Sequence, residues 1–250
     1  MIFLGDIHGE FATLKYNIKR FGFNNCNIIQ VGDFGVGFST ENGDTDQLRY
    51  LNEFMVERNI KFYAIRGNHD CPDWFQGNND HSNLKLIPDY TILELEGHKM
   101  LCIGGGLSID REPRKSQQRK YAADSSKYRE CYWPDEIVVF DESKLKTVKN
   151  IDIVVTHVAP KYLQPINNHG GMKLVDDFAR IDSKLKPDID SENVVMCQIW
   201  DEINKNNNVE RYLYGHYHRS FQMNYPGIGK DGQKNIIDVR CLGIDEFYRI

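Results

Sequence analysis

Apolar positions along this chain recur with two different periods. The runs "MIFL" (1–4), "CNIIQV" (26–31) and "KFYAI" (61–65) are short and rich in β-formers, as expected for strands buried on both faces. Between them the spacing lengthens. In "EFATLKYNIKRF" Phe11, Leu14 and Ile18 fall on one helical face, and in "DQLRYLNEFMVERN" Leu48, Leu51, Phe54 and Met55 do the same. Strand, helix, strand, helix, strand at this pitch predicts parallel strands joined by right-handed crossovers.

Further along, "YTILEL" (90–95) and "HKMLCIG" (98–104) predict a hairpin around Glu96–Gly97. "IDIVV" (151–155) predicts another buried strand, and "NVVMCQIWDEI" (193–203) a helix with Ser191 near its N-cap. "RYLY", "FQMNY", "NIIDVR" and "IDEFYRI" predict strands in the C-terminal part. The stretch 107–135 breaks the pattern. It is polar, poorly periodic and rich in Lys and Arg, and is expected to be an insertion over the sheet edge or the site. No internal repeat, low-complexity tract or Pro-rich linker divides the sequence, so the expectation is one α/β domain over 1–250.

Composition narrows the class without deciding the function. Hydrophobic residues make up 40% and charged residues 27%, an ordinary globular balance, and the formal net charge of −5 argues against permanent residence on DNA or an anionic membrane. No window approaches the roughly 18 consecutive apolar residues of a membrane span. "MIFL" runs straight into a polar motif rather than forming a signal segment. Cysteines 26, 71, 102, 131, 197 and 241 form no C-x-x-C pair and read as small core residues of a reducing compartment, so a cytoplasmic location is expected.

Chemistry enters at the strand ends. After the first strand comes "GDIHG" with Asp6 and His8, and after the second "GDFG" with Asp33. After the third comes "RGNHD" with Asn68, His69 and Asp70; then Thr156 precedes His157, and "GHYH" brings His216 and His218. Of the 8 histidines, all but His81, His98 and His169 sit at these positions. In open α/β folds sites gather beyond the carboxyl ends of strands. Asp6, His8, Asp33, Asn68, His157, His216 and His218 exceed one tetrahedral site and match two metals sharing a bridging carboxylate. Oxygen and imidazole donors without a thiolate suit Mn²⁺, Fe or Zn²⁺. His69 is left over as a non-ligand suited to protonating a leaving alkoxide.

These ordered blocks, D-x-H, G-D, G-N-H-D, a lone His and G-H-x-H, resemble the calcineurin-like metallophosphoesterase superfamily over residues 6 to 218. The resemblance implies a layered β-sandwich flanked by helices, with the metal site at strand C-terminal ends. It implies that Asp6, His8 and His218 hold the first of two divalent ions, that Asp33 bridges, and that Asn68, His157 and His216 hold the second. His69 would be the catalytic acid or transition-state stabiliser, oriented by Asp70. The reaction would be in-line attack on a phosphate ester by a metal-bridging hydroxide.

One departure bears on substrate. In the phosphoprotein phosphatase branch the second block reads G-D-x-x-D-R-G, and its Arg clamps the phosphate; here Val36 and Gly37 stand at the Asp and Arg positions. Arg66, just before the GNHD turn, and Arg111, after "GGGLSID", are the expected replacements. "REPRKSQQRK" (111–120) reads either as a substrate rim or as a solvated loop, and "GGG" (104–106) as a tight passage of backbone near the metals. A small phosphate ester or nucleotide is the preferred substrate, with a phosphoprotein or a nucleic-acid end as alternatives within the superfamily. A non-catalytic metal-binding scaffold is the alternative from another class.

Overall fold

Alternation within each short strand decides the architecture. The computed structural model describes residues 1–78, 81–122, 130–165, 169–230, 232 and 234–250. In chain order the elements are β1 (Ile2–Leu4), α1 (Phe11–Arg20), β2 (Cys26–Gln30), α2 (Glu41–Glu57), β3 (Ile60–Ala64) and β4 (Leu84–Leu86). They continue with the hairpin β5 (Thr91–Leu95) and β6 (His98–Ile103), then α3 (Arg111–Ala122), α4 (Glu142–Thr147) and β7 (Ile153–Thr156). The last are α5 (His169–Ala179), α6 (Leu185–Asn206), β8 (Arg211–Tyr214), β9 (Phe221–Ile228), β10 (Lys234–Cys241) and β11 (Phe247–Arg249).

These strands form two sheets, ordered β11-β1-β2-β3-β4 and β5-β6-β7-β8-β10-β9. β1 to β4 are mutually parallel, as are β6, β7, β8 and β10, while β11, β5 and β9 are the antiparallel edges. Ile2 and Leu4 point to one face of the first sheet, into a core with Leu14 and Ile18 of α1 and Leu51 and Met55 of α2. Phe3 points the other way, into the layer between the sheets, where it joins Ile29, Val31, Met100, Ile153, Val155 and Leu213. Val154, Tyr212 and Tyr214 face outward from the second sheet, against Met196, Ile199, Trp200 and Ile203 of α6. Because side chains alternate with period two, each buried strand must be apolar on both faces, and the result is a β-sandwich with helices outside.

Helix ends follow their local chemistry. The Thr40 side chain accepts from the Gly43 N–H at 3.2 Å to start α2, and Asp141 accepts from the Lys144 N–H at 3.0 Å to start α4. One expectation, the place of Ser191, is corrected. The 193–203 helix is the later part of α6, and Ser191 lies inside that helix, donating to the Pro187 carbonyl at 2.9 Å instead of capping it. The stretch 107–135 contains α3, whose Arg111 and Arg114 are buried; its residues 123–129 lie outside those described. Among the described residues no helix is long and apolar enough to cross a membrane.

Candidate metal centre

Parallel strands bring their carboxyl ends to one edge, and here both sheets do so together. From the first sheet, β1 leads to Asp6 and His8, β2 to Asp33, and β3 to Asn68 and His69; from the second, β7 leads to His157 and β8 to His216 and His218. The ligand-bearing turns are sharp. His8, Asp33, His216 and His218 have φ of 45°, 54°, 68° and 53°, left-handed values uncommon outside glycine. The Asp33 carbonyl holds the first turn, accepting from the Ile7 and His8 N–H groups at 3.1 and 2.8 Å. A Cβ on Gly67 would overlap the Asp33 carboxylate, and one on Gly215 the Asp6 carboxylate, so both residues allow backbone to pass directly beneath a candidate ligand.

One half of the site gathers Asp6, His8, Asp33 and His218, with one donor atom from each lying within 4.8 Å of the others. His8 Nε2 and His218 Nε2 face each other at 2.9 Å, and His218 Nε2 stands 3.4 Å from Asp6 Oδ2. The other half centres on Asn68 Oδ1, which has His157 Nε2 at 3.0 Å and His216 Nδ1 at 2.9 Å. Asp33 touches both halves, with Oδ1 3.2 Å from His157 Nε2 and Oδ2 3.8 Å from His8 Nδ1.

The donors fit a pair of divalent ions. His157 Nδ1 donates to the Val31 carbonyl at 2.9 Å, which leaves Nε2 to face the site. Asn68 donates from Nδ2 to Ser108 Oγ at 3.0 Å, which turns its oxygen toward the two imidazoles. Carboxylate, carboxamide and imidazole donors, with no cysteine in the cluster, make an oxygen-and-nitrogen set.

Electrostatics sharpen the picture. Burial works to raise the Asp33 carboxyl, but His157, His69 and His8 around it hold it well below the usual carboxylate range. His157 is correspondingly pushed up to about 9, with Asp33 outweighing burial. His216 goes down to about 3 through burial and the nearby His157. His69 goes down to about 4, through burial first and the positive charge of Arg114 next among the lowering effects. The His69 ring stands edge-on to His8 at 5.2 Å and stacks on Phe38 at 6.2 Å, so it borders the cluster without joining it.

The structure relocates three of the expected site residues. Arg66 directs its guanidinium to Asp89 Oδ2, at 3.0 Å from Nε and 2.7 Å from Nη2, and to the carbonyls of Asp135, Glu136 and Ile137. It is a buried structural ion pair with no donor left for a phosphate. Arg111 is likewise engaged by Asp182 and Asp188, at 2.5 and 2.7 Å. Asp70, expected to orient His69, instead accepts four backbone N–H groups, from Phe34, Gly35, Val36 and Gly67. Its carboxylate ties the turn after β2 to the turn after β3.

Sequence reasoning does not find the buried network behind Asn68. Ser108 Oγ, which accepts from Asn68, is itself 2.9 Å from Glu136 Oε2, and Glu136 Oε1 accepts from the Ser108 N–H at 2.7 Å. Arg114 completes it, donating from Nη1 to Ser108 Oγ and, at 3.2 Å, to the Asn68 carbonyl. Its one signal in the sequence is a place within the basic run 111–120. Gly104–Gly106 behaves as expected: Gly106 packs beside His157, Asn68 and Val158, too closely for a larger residue.

Comparison with known proteins places the chain in a family. A family model described as calcineurin-like phosphoesterase matches residues 1–220. Over 123 residues the chain is 28% identical to serine/threonine-protein phosphatase PP1-delta of Caenorhabditis elegans, a match covering 43% of this chain and 39% of that relative. The match thus spans well under half of the relative's length. Among solved structures, a dimetal phosphatase from Danio rerio is similar with a TM-score of 0.50 and 9% identity, covering 98% of this chain and 87% of that one. A Thermus thermophilus protein gives a TM-score of 0.49 and 14% identity, covering 97% and 89%.

Proposed function

Because this chain belongs to the calcineurin-like phosphoesterase family, we propose that it hydrolyses phosphate esters using two divalent metal ions, with a small phosphate ester or nucleotide as substrate. The observation that carries the reading is the double cluster of donors sharing Asp33, in which each half offers carboxylate or carboxamide oxygen and two imidazole nitrogens. Asp6, His8, His218 and Asp33 would hold one ion, and Asp33, Asn68, His157 and His216 the other. Manganese is the proposed metal, with iron or zinc as alternatives suited to the same donors. The chemistry such a pair would supply is polarisation of the phosphoryl oxygens and a water acidic enough to serve as nucleophile at neutral pH.

The protein's own residues do the rest. Val31 fixes the His157 tautomer, and Ser108 fixes the Asn68 carboxamide, so both donors are aimed before any ion arrives. Asp70 clamps the two turns that carry Asp33 and Asn68. His69 stands at the rim, and because burial and Arg114 push it down to about 4, it would have to take up a proton there before giving one to a leaving oxygen.

The Caenorhabditis elegans relative supports a second reading, a phosphoprotein phosphatase. Against it, Val36 and Gly37 stand where that branch carries its Asp and phosphate-clamping Arg. The test is hydrolysis by metal-stripped protein with Mn²⁺ restored, comparing a chromogenic phosphomonoester with its bis-ester. Turnover of either, with a fall of at least roughly 10²-fold in His69→Ala at unchanged metal content, is the expected result. Hydrolysis of neither ester, with metal bound, favours the non-catalytic scaffold.

A further inference from the structure

The buried face of α3 carries a cation that the proposed reaction leaves idle. Arg114 is only 6% exposed. Nε donates to the Cys131 carbonyl at 2.5 Å, and Nη1 serves the Asn68 carbonyl, Ser108 Oγ and, at 3.5 Å, Glu136 Oε2. Nη2 is buried and has no hydrogen-bond partner among the described residues. Around the guanidinium stand the rings of Phe38, Tyr132 and Trp133, with centroids 5.7, 5.9 and 5.8 Å from Cζ.

Two features make this more than a packing imperfection. The first is position: Arg114 bonds the carbonyl of Asn68, one residue from His69, and shares Phe38 as a ring neighbour with His69. The second is chemistry. A guanidinium is planar and always charged, and it matches the oxygens of a phosphate when its donors are left free. Arg66 has its fork filled by Asp89 and the carbonyls of Asp135, Glu136 and Ile137, and Arg111 is held away by Asp182 and Asp188, whereas Arg114 keeps a buried open donor beside the turn that presents His69.

Resting on the phosphoesterase reading, we infer that Arg114 Nη2 is the protein's contact to a phosphoryl oxygen of the substrate, and that it favours the dianionic monoester over the singly charged diester. An oxygen reaches Nη2 when a ring of the aromatic cage yields. Phe38, half-buried and bordering both Arg114 and His69, is the ring placed to do so.

The experiment is calorimetric titration of the Mn²⁺-loaded full chain with inorganic phosphate, for the parent protein and for Arg114→Lys. Lysine keeps the charge but loses the fork. The expected result is phosphate affinity weaker by at least roughly ten-fold at unchanged Mn²⁺ stoichiometry, with kcat/KM falling more for the monoester than for the bis-ester. Phosphate affinity within about two-fold of the parent overturns the inference, because the loss of a charge-assisted bond exceeds that. Loss of Mn²⁺ together with phosphate affinity also overturns it, since Arg114 would then be a prop for Asn68. If Arg114→Lys fails to fold, Phe38→Trp decides, because it leaves the bonds of Arg114 intact and fills the approach: weakened phosphate binding supports the contact and unchanged binding overturns it. The titration reads Arg114 whether or not any ester is hydrolysed, and hydrolysis by the parent tests the phosphoesterase reading separately.

Discussion

Single residues in this protein carry opposed demands, and Glu136 shows the clearest case. Its carboxyl is fully buried, so burial pushes it up to about 8 against the pull of Arg114 and the two bonds from Ser108. The unfolded chain releases that proton near pH 4.5, whereas the folded one keeps it, so this group's contribution to stability declines as pH rises between those values. Glu136→Gln, which cannot ionise, should flatten the decline. Thermal melting of metal-free parent and variant at pH 5 and pH 8 measures it, and an equal fall in both proteins would contradict the assignment. The candidate ligands were legible because Asp, Asn and His recur at strand ends where nothing in a core wants them. The arginines were not. Arg66 pairs with a carboxylate 23 positions away and Arg111 with two that are 71 and 77 away, and no local pattern encodes such pairings. Asp70 misled for a related reason, since the N–H groups it binds belong mostly to a different turn.

Elements were legible where burial imposes a period. β1, β2, β3, β7 and the β5–β6 hairpin stand where their apolar runs place them, and α1 buries Phe11, Leu14 and Ile18 as the spacing requires. α3 left no such trace because what it buries is two guanidiniums, and "REPRKSQQRK" therefore reads as a solvated run. α6 begins earlier than its apolar pattern because Pro187 sits in the first turn, where its missing N–H would have had no helical partner. This difference is measurable. Ser191→Ala, inside the helix, should change stability by no more than about 0.5 kcal/mol, whereas Asp141→Ala, which removes the cap of α4, should lower the denaturation midpoint more. Denaturant melts of the two variants distinguish them, and a larger cost for Ser191 would restore it as a cap.

At the scale of the molecule, the two sheets meet over the shared apolar layer and again at the edge where both deliver donors. A metal bound there bridges the sheets, so it binds the folded state and not the unfolded chain. With Mn²⁺ at about a hundred times its dissociation constant, the melting temperature should rise by roughly 5–10 °C, and a chelator should reverse the gain. A melting temperature indifferent to chelation would mean that the donors hold no ion. The sandwich was implied by the family resemblance, whereas periodicity alone gave only alternating strands and helices, because the division of strands between sheets depends on pairings such as β8 with β10 and β1 with β11.

That last pairing has a consequence for how the protein is made. β1 (Ile2–Leu4) is made long before the strand that covers its outer edge, β11, which spans Phe247–Arg249. Until β11 is made, the outer edge of β1 offers unpaired backbone groups to any neighbouring strand, its own or another chain's. His218, too, emerges long after Asp6 and His8. The growing polypeptide must therefore keep one edge of an apolar strand unpaired until β11 is made and a cluster of donors incomplete until His218 is made, and crowded or stalled ribosomes are where its losses to aggregation should concentrate.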